Sequence, residues 1–256
     1  MKIKSFKKEK NNKYKIIFES GGDIVLYDDV IVKYNLLVNK TFDTNKLEEI
    51  IKYNSSLDAY YLSLKYISKK MRTKLEIKKY LEKKDIDSKT IEETINKLVN
   101  NKAINEDLYI QAFCNDQINF SNIGPNKIVS KLKDLGISKE KSIDYLNNIN
   151  DSIWRNKINK IVDKKVKSNH NYSTYILKNK ILNSLVNDGF DKSMVTDIIS
   201  TKDISCDKNI IIKEYNKQKN KLSKKYDGEA LEYQIKLKLR SKGFSNDEIN
   251  NIKTGF

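Results

Sequence analysis

"NKIVSKLKDLGIS", residues 126–138, reads as the last turns of an amphipathic helix, an abrupt stop at Gly136 and a fresh helix start at Ser138. Nearly the same pattern recurs in "LEIKKYLEKKDIDSKTI", "KNKILNSLVNDGFDKSMV" and "EYQIKLKLRSKGFSNDEI". Aligned on the apolar residue after the stop, the pivots are Ile86, Ile137, Phe190 and Phe244. Five residues earlier stand Leu81, Leu132, Leu185 and Leu239, and nine earlier Ile77, Ile128, Ile181 and Ile235. A spacing of four places each Ile and Leu on one helical face, where both can enter a core.

The stop has a physical cause in each copy. Before the pivot stand Asp85, Gly136, Gly189 and Gly243, residue types that accept the left-handed conformation at a helix C-terminus. After it stand Asp87, Ser138, Asp191 and Ser245, all strong N-caps. One helix ends, the pivot turns back toward the core, and the next helix starts at once. Ile91, Val195 and Ile249 follow five residues beyond their pivots, and the second copy is expected to slip by one, to Ile143.

A further helical stretch precedes each pair: 57–71, 106–120, 153–167 and 210–226. The unit is therefore three helices, repeated four times, at 57–102, 103–150, 151–203 and 204–256. Such units bury little alone and are expected to stack into an elongated, curved array. Residues 1–56 differ. "KYKIIFESGGDIVLYDDVIV" carries β-branched and aromatic runs on either side of Gly21 and Gly22, which predicts strands near 13–19 and 23–27. Asp28 and Asp29 are expected to cap a short helix, and Thr44 a second one. The fold class is mainly α, with a small N-terminal α+β domain. No GxGxxG or Walker lysine follows the glycine pair, so it is read as a turn rather than a phosphate loop.

The chain has 256 residues, a formal net charge of +16, one proline and eight glycines. With 38% hydrophobic and 33% charged residues it has enough apolar material to fold, and its basic excess points to a polyanionic or acidic partner. The second repeat departs from this, with five lysines against six acidic residues. On helices the basic residues form stripes: Lys157, Lys160, Lys164 and Lys167; Lys213, Lys217, Lys221 and Lys224; and Lys74 and Lys78, joined by Lys65, Lys69 and Arg72. Stripes of this kind suit phosphate contacts that need charge without sequence reading, and equally suit an acidic protein surface. Tyr60, Tyr61, Tyr66 and Tyr80 could stack on bases but are more simply boundary residues.

Catalysis finds no support. The single histidine, His170, lies in the polar stretch "KSNHNYST", and Asp107, Asp116 and Asp163 are dispersed rather than converging on a metal. Cys114 and Cys206 stand far apart with no CxxC, so neither a zinc site nor a disulfide is expected, and no cofactor. Trp154 is read as core. No apolar run approaches the roughly 20 residues of a membrane span, and "MKIKSFKKEK" lacks a signal-peptide core, so a cytoplasmic chain that does not enter membranes is expected.

"KMRTKLEIKKYLEKKDI", "NEDLYIQAF", "IGPNKIVSKLKDLGISKEKSI" and "NKILNSLVNDGFDKSMV" together resemble the RecX family, regulators of the RecA recombinase. Arg72, Thr73, Glu76 and Ile77 stand where that family has Arg, Ser or Thr, and Glu-Leu. Glu106 and Asp107 match its acidic pair, and Gly124, Pro125 and "KLKDLGI" its Gly-Pro and following basic helix. The stretch "CNDQINFSNIGP" departs from the pattern, carrying none of the basic residues usual there. The missing motifs predict a protein without enzymatic activity, a monomer is expected, and the resemblance implies a regulator. Its partner would be the RecA filament on single-stranded DNA, with double-stranded DNA left open as a second ligand, and it would modulate ATP hydrolysis and strand exchange. The competing reading is a general nucleic-acid-binding helical repeat protein that acts without RecA. A helix-turn-helix transcription factor is a weaker third, since four copies at this spacing fit one dimeric half-site reader poorly.

Overall fold

The N-terminal ladder is built from three strands, β1 (Ile3–Lys8), β2 (Lys13–Phe18) and β3 (Asp23–Tyr27), antiparallel in the order β1-β2-β3. The computed structural model describes residues 1–205 and 207–252, so the expectation for Cys206 lies outside the described residues. The turn between β2 and β3 holds Gly21 and Gly22 at φ +88° and +84°, the positive values that the glycine pair predicts. β1 was not expected. A register shift between Ile3 and Ser5 puts Ile3 and Phe6, three residues apart, on the same core, so the strand lacks the alternation that marks one in sequence.

Helices α1 (Asp28–Lys33) and α2 (Thr44–Ile67) follow. Two expected caps are corrected. Tyr27 holds the N-cap of α1 with no side-chain bond, which leaves Asp28 and Asp29 in the first turn beside the positive helix end. For α2 the cap is Asp43, whose carboxylate accepts from the Lys46 amide at 2.7 Å, and Thr44 is the first helical residue. α2 runs unbroken past residue 56. It gives Ile50 and Leu57 to the core under the sheet and, from Ala59 on, side chains to the core of the first repeat.

The remaining helices are α3 (Lys74–Glu82), α4 (Ser88–Asn100), α5 (Glu106–Phe120), α6 (Pro125–Asp134), α7 (Lys139–Asn147), α8 (Asp151–Lys167), α9 (Thr174–Asn187), α10 (Lys192–Thr201), α11 (Lys208–Leu222), α12 (Gly228–Ser241) and α13 (Asn246–Asn250). From α2 onward they fall into four successive sets of three. Contacts divide the chain into two units, Met1–Tyr109 and the residues from Ile110 onward.

The recurring stop is the same device four times. Asp85, Gly136, Gly189 and Gly243 all adopt positive φ, between +57° and +88°. The pivot amides of Ile86, Ile137, Phe190 and Phe244 then donate back to the carbonyls of Leu81, Leu132, Leu185 and Leu239, the long-range bond of a Schellman cap. Asp87, Ser138, Asp191 and Ser245 each accept the amide three residues on. The four Ile and four Leu of the repeat are 0–1% exposed, and burial of each contributes roughly 1.5–3 kcal/mol. Trp154 is buried at 4% exposure, as expected.

The expected slip to Ile143 does not occur. Ser142 keeps the register, fully buried, its hydroxyl donating to the Ser138 carbonyl at 2.8 Å, and Ile143 is exposed. A serine can hold a core position here because the preceding turn satisfies its one donor.

Within the second unit consecutive repeats join in the same manner twice. The start of α6 meets the turn between α9 and α10: the Gly124 amide donates to the Asp188 carbonyl at 2.7 Å and the Asn126 amide to the Gly189 carbonyl at 3.0 Å. A Cβ on Gly124 would lie 2.5 Å from three backbone atoms of Gly189 and Phe190, so only glycine permits this approach. One repeat later, the start of α9 meets the turn between α12 and α13, where Ser173 Oγ donates to the Lys242 carbonyl at 2.9 Å.

Candidate nucleic-acid interface

α8 begins with Asn150 as its N-cap and turns Trp154, Ile158 and Val162 into the core, which leaves the opposite face to lysines. The four members of the predicted stripe divide into two kinds. Lys157 is half-buried, and its ammonium donates to the carbonyls of Gln117 and Ile118 at 2.8 and 2.9 Å, near the end of α5. Burial pushes its pKa below that of an ordinary lysine. Lys157 therefore holds the C-terminal carbonyls of α5, where a cation is favoured, and is not free for a partner. Lys160, Lys164 and Lys167 are exposed and unpaired among the described residues. The one carboxylate between them, Asp163, is neutralised by Lys202 at 2.7 Å, which preserves the positive excess.

A groove runs between α8 and the end of α5. From α8 come Lys160, Lys164 and Lys165 with Ile153 and Ile161, and from the end of α5 and the residues after it come Ile118, Asn119 and Asn122. Its carboxylate, Asp188, is paired with Lys127 at 3.0 Å. Lys165, the asparagines and the isoleucines were missed in sequence. The available signal was Phe120, an apolar residue that ends α5 on the stripe of Tyr109 and Phe113 and is followed by the polar stretch "SNIGP".

The stripe on α11 is exposed at Lys213, Lys217 and Lys221, but the helix ends at Leu222, so Lys224 lies beyond it, exposed but off the helical face. In the first unit, Lys65 and Lys74 are exposed, Lys69 lies past the end of α2, and Lys78 stands 4.0 Å from Glu82. Arg72 is no open contact. Its guanidinium lies over the Tyr66 ring, 3.9 Å from the centroid, and pairs with Glu76 at 3.1 Å, with only 16% of its side chain exposed. Tyr66 in turn stacks on Tyr80 at 4.2 Å. Glu76 also closes the capping box of Thr73, so Arg72 organises the start of α3.

Among the described residues no group of three or more His, Cys, Asp and Glu could hold a metal ion, and no helix is long and apolar enough to cross a membrane. His170 lies exposed between α8 and α9. Cys114 is buried, which pushes its thiol up to about 11 and keeps it protonated.

Residues 59–98 match the family model described as "RecX, first three-helix domain". The chain is 33% identical over 255 residues to a protein of Streptococcus agalactiae serotype III named "Regulatory protein RecX", covering 98% of each. It is 32% identical over 243 residues to a protein of the same name from Lactococcus lactis subsp. lactis, covering 91% of this chain and 89% of the relative. Among solved structures, one described as "Crystal structure of regulatory protein RecX" superposes with a TM-score of 0.70 at 23% identity, over 78% of this chain and 99% of the other. RecX from Lactobacillus salivarius superposes with a TM-score of 0.54 at 29% identity, over 58% of this chain and 96% of the other. On near full-length similarity, and on four recurrences of one helix-stop-helix device, the chain belongs to the RecX family.

Proposed function

We propose that this protein regulates the RecA recombinase by binding the RecA filament on single-stranded DNA and restraining its ATP hydrolysis and strand exchange. It acts in the cytoplasm as a monomer, without enzymatic activity or cofactor of its own. The observation that carries the reading is the row of unpaired lysines at Lys160, Lys164 and Lys167, kept positive by the pairing of Asp163 elsewhere. A protein of separate repeats, at 57–102, 103–150, 151–203 and 204–256 behind an N-terminal domain at 1–56, can touch a repeating partner at several points. Weak contacts then act at high effective concentration.

The test compares binding to RecA filaments and to free single-stranded DNA for the wild type, a Lys160→Glu, Lys164→Glu, Lys167→Glu variant, and a Lys213→Glu, Lys217→Glu, Lys221→Glu variant. Lys157 is left intact because its replacement would disturb α5. Each triple reversal is expected to weaken binding and flatten its salt dependence while melting stays near that of the wild type, since exposed lysines contribute little to folding. Wild-type binding by both variants at physiological salt refutes the assignment. Indifference of RecA to the unmodified protein, with tight RNA binding instead, would favour the general nucleic-acid-binding reading.

A further inference from the structure

Phe120, the last residue of α5, is 87% exposed, the most exposed of the large hydrophobic side chains among the described residues. Its chain neighbours Asn119 and Ser121 line the groove that Lys160, Lys164 and Lys165 also line, while its own ring lies outside that lining. Solvation of a phenyl ring on this scale is unfavourable, and packing does not require it. The helix end that carries it is held, because Lys157 donates to the carbonyls of Gln117 and Ile118.

We propose that Phe120 is a base-stacking residue and that the groove takes an unpaired segment of single-stranded nucleic acid, with Lys160 and Lys164 on its phosphates. This rests on the reading of the α8 lysines as phosphate contacts. A groove lined by lysines, asparagines and isoleucines calls for a ligand that combines regular negative charge with planar apolar faces and hydrogen-bonding edges. Single-stranded nucleic acid is such a ligand, and a duplex is not, since its bases already stack on one another. An acidic protein segment would satisfy the lysines, but gives no account of an exposed aromatic ring on the residue between two that line the groove.

The experiment measures anisotropy of a labelled oligo-dT, and of a duplex of equal length, with the full-length protein, its Phe120→Ala and Phe120→Trp variants, and a Lys160→Glu, Lys164→Glu variant. Replacement of one stacking aromatic is expected to weaken oligo-dT binding roughly five- to a hundredfold. Phe120→Trp should restore it, and the salt slope should not change, because no phosphate contact is lost. In a Trp154→Phe background the tryptophan at 120 should be quenched by oligo-dT. If Phe120→Ala binds oligo-dT like the wild type while the lysine variant does not, stacking is refuted and the phosphate assignment stands. If neither variant matters, both fall. Equal losses on oligo-dT and duplex also overturn the inference. So does a Phe120→Ala variant that loses binding to RecA filaments but not to oligo-dT, since the groove's occupant is then protein.

Discussion

Substitution of Gly124 by alanine isolates the joint between the second and third repeats. Gly124 has φ −93° and ψ 175°, extended backbone that alanine adopts without strain, so on intrinsic grounds the change should stabilise by about 0.4–1 kcal/mol through the unfolded chain. The joint reverses the sign. The new methyl would sit 2.5 Å from the Gly189 carbonyl carbon, its oxygen and the Phe190 nitrogen, all backbone, against an ordinary contact of about 3.5 Å. The α6 start must therefore retreat by about 1 Å, which breaks the bonds from Gly124 and Asn126 to the Asp188 and Gly189 carbonyls. Two hydrogen bonds at about 1 kcal/mol each, with some loss at the edge-to-face contact of Trp154 and Phe190, leave a net destabilisation of about 2 kcal/mol. The Lys127–Asp188 pair, 42% and 36% exposed, adds little. Trp154 is the only tryptophan and lies beside Pro125 and Phe190 in one cleft, so its fluorescence during urea unfolding reports this joint. Gly22→Ala is the control: at φ +84° with nothing within 4 Å it carries backbone strain alone, about 1 kcal/mol, and leaves the tryptophan signal of the native state unchanged. A Gly124→Ala protein as stable as the wild type, or more so, refutes the account of how the repeats join.

Three further outcomes follow from the same structure. Leu132→Ala, at a side chain with no exposure, should cost roughly 2–5 kcal/mol in urea unfolding, whereas Ile143→Ala, on the exposed face, should stay within about 0.5 kcal/mol. Arg72→Ala should cost about 2 kcal/mol by removing the Tyr66 stack and leaving the half-buried Glu76 carboxylate without its cation, yet leave single-stranded DNA affinity unchanged within about twofold. Tyr61 donates to the Asp29 carboxylate, which pushes its phenol up to about 12, above the unfolded value near 10. A raised pKa stabilises the folded state fully below pH 10 and loses that contribution as pH climbs toward 12, so the wild type should lose urea resistance over that interval more steeply than Tyr61→Phe. Parallel losses would contradict the assignment.

The repeat was legible because it rests on local backbone chemistry. Each stop needs a residue tolerant of positive φ, a pivot that can fold back and an N-cap, and each requirement leaves a residue type at a fixed place. What escaped was set by contacts distant in sequence or by exceptions to periodicity. β1 was hidden by a bulge that breaks alternation. Ser142 occupies an apolar position because a carbonyl from the preceding turn satisfies its hydroxyl, which made Ile143 the tempting choice. The lysine stripes could be placed on helices by spacing alone, but spacing cannot tell a free ammonium from one that clamps a neighbouring helix. Lys160 and Lys157 look alike in sequence and differ because α5 ends beside the latter. Arg72 fell to the same ambiguity, since its partners Tyr66 and Glu76 lie on two different helices.

Steady-state ATP hydrolysis by RecA on single-stranded DNA reads the proposed regulation without an intermediary. With the wild-type protein titrated in at physiological salt, hydrolysis should fall progressively, and markedly less with the Lys160→Glu, Lys164→Glu, Lys167→Glu variant. Hydrolysis that stays constant across a full titration of folded wild-type protein would contradict it.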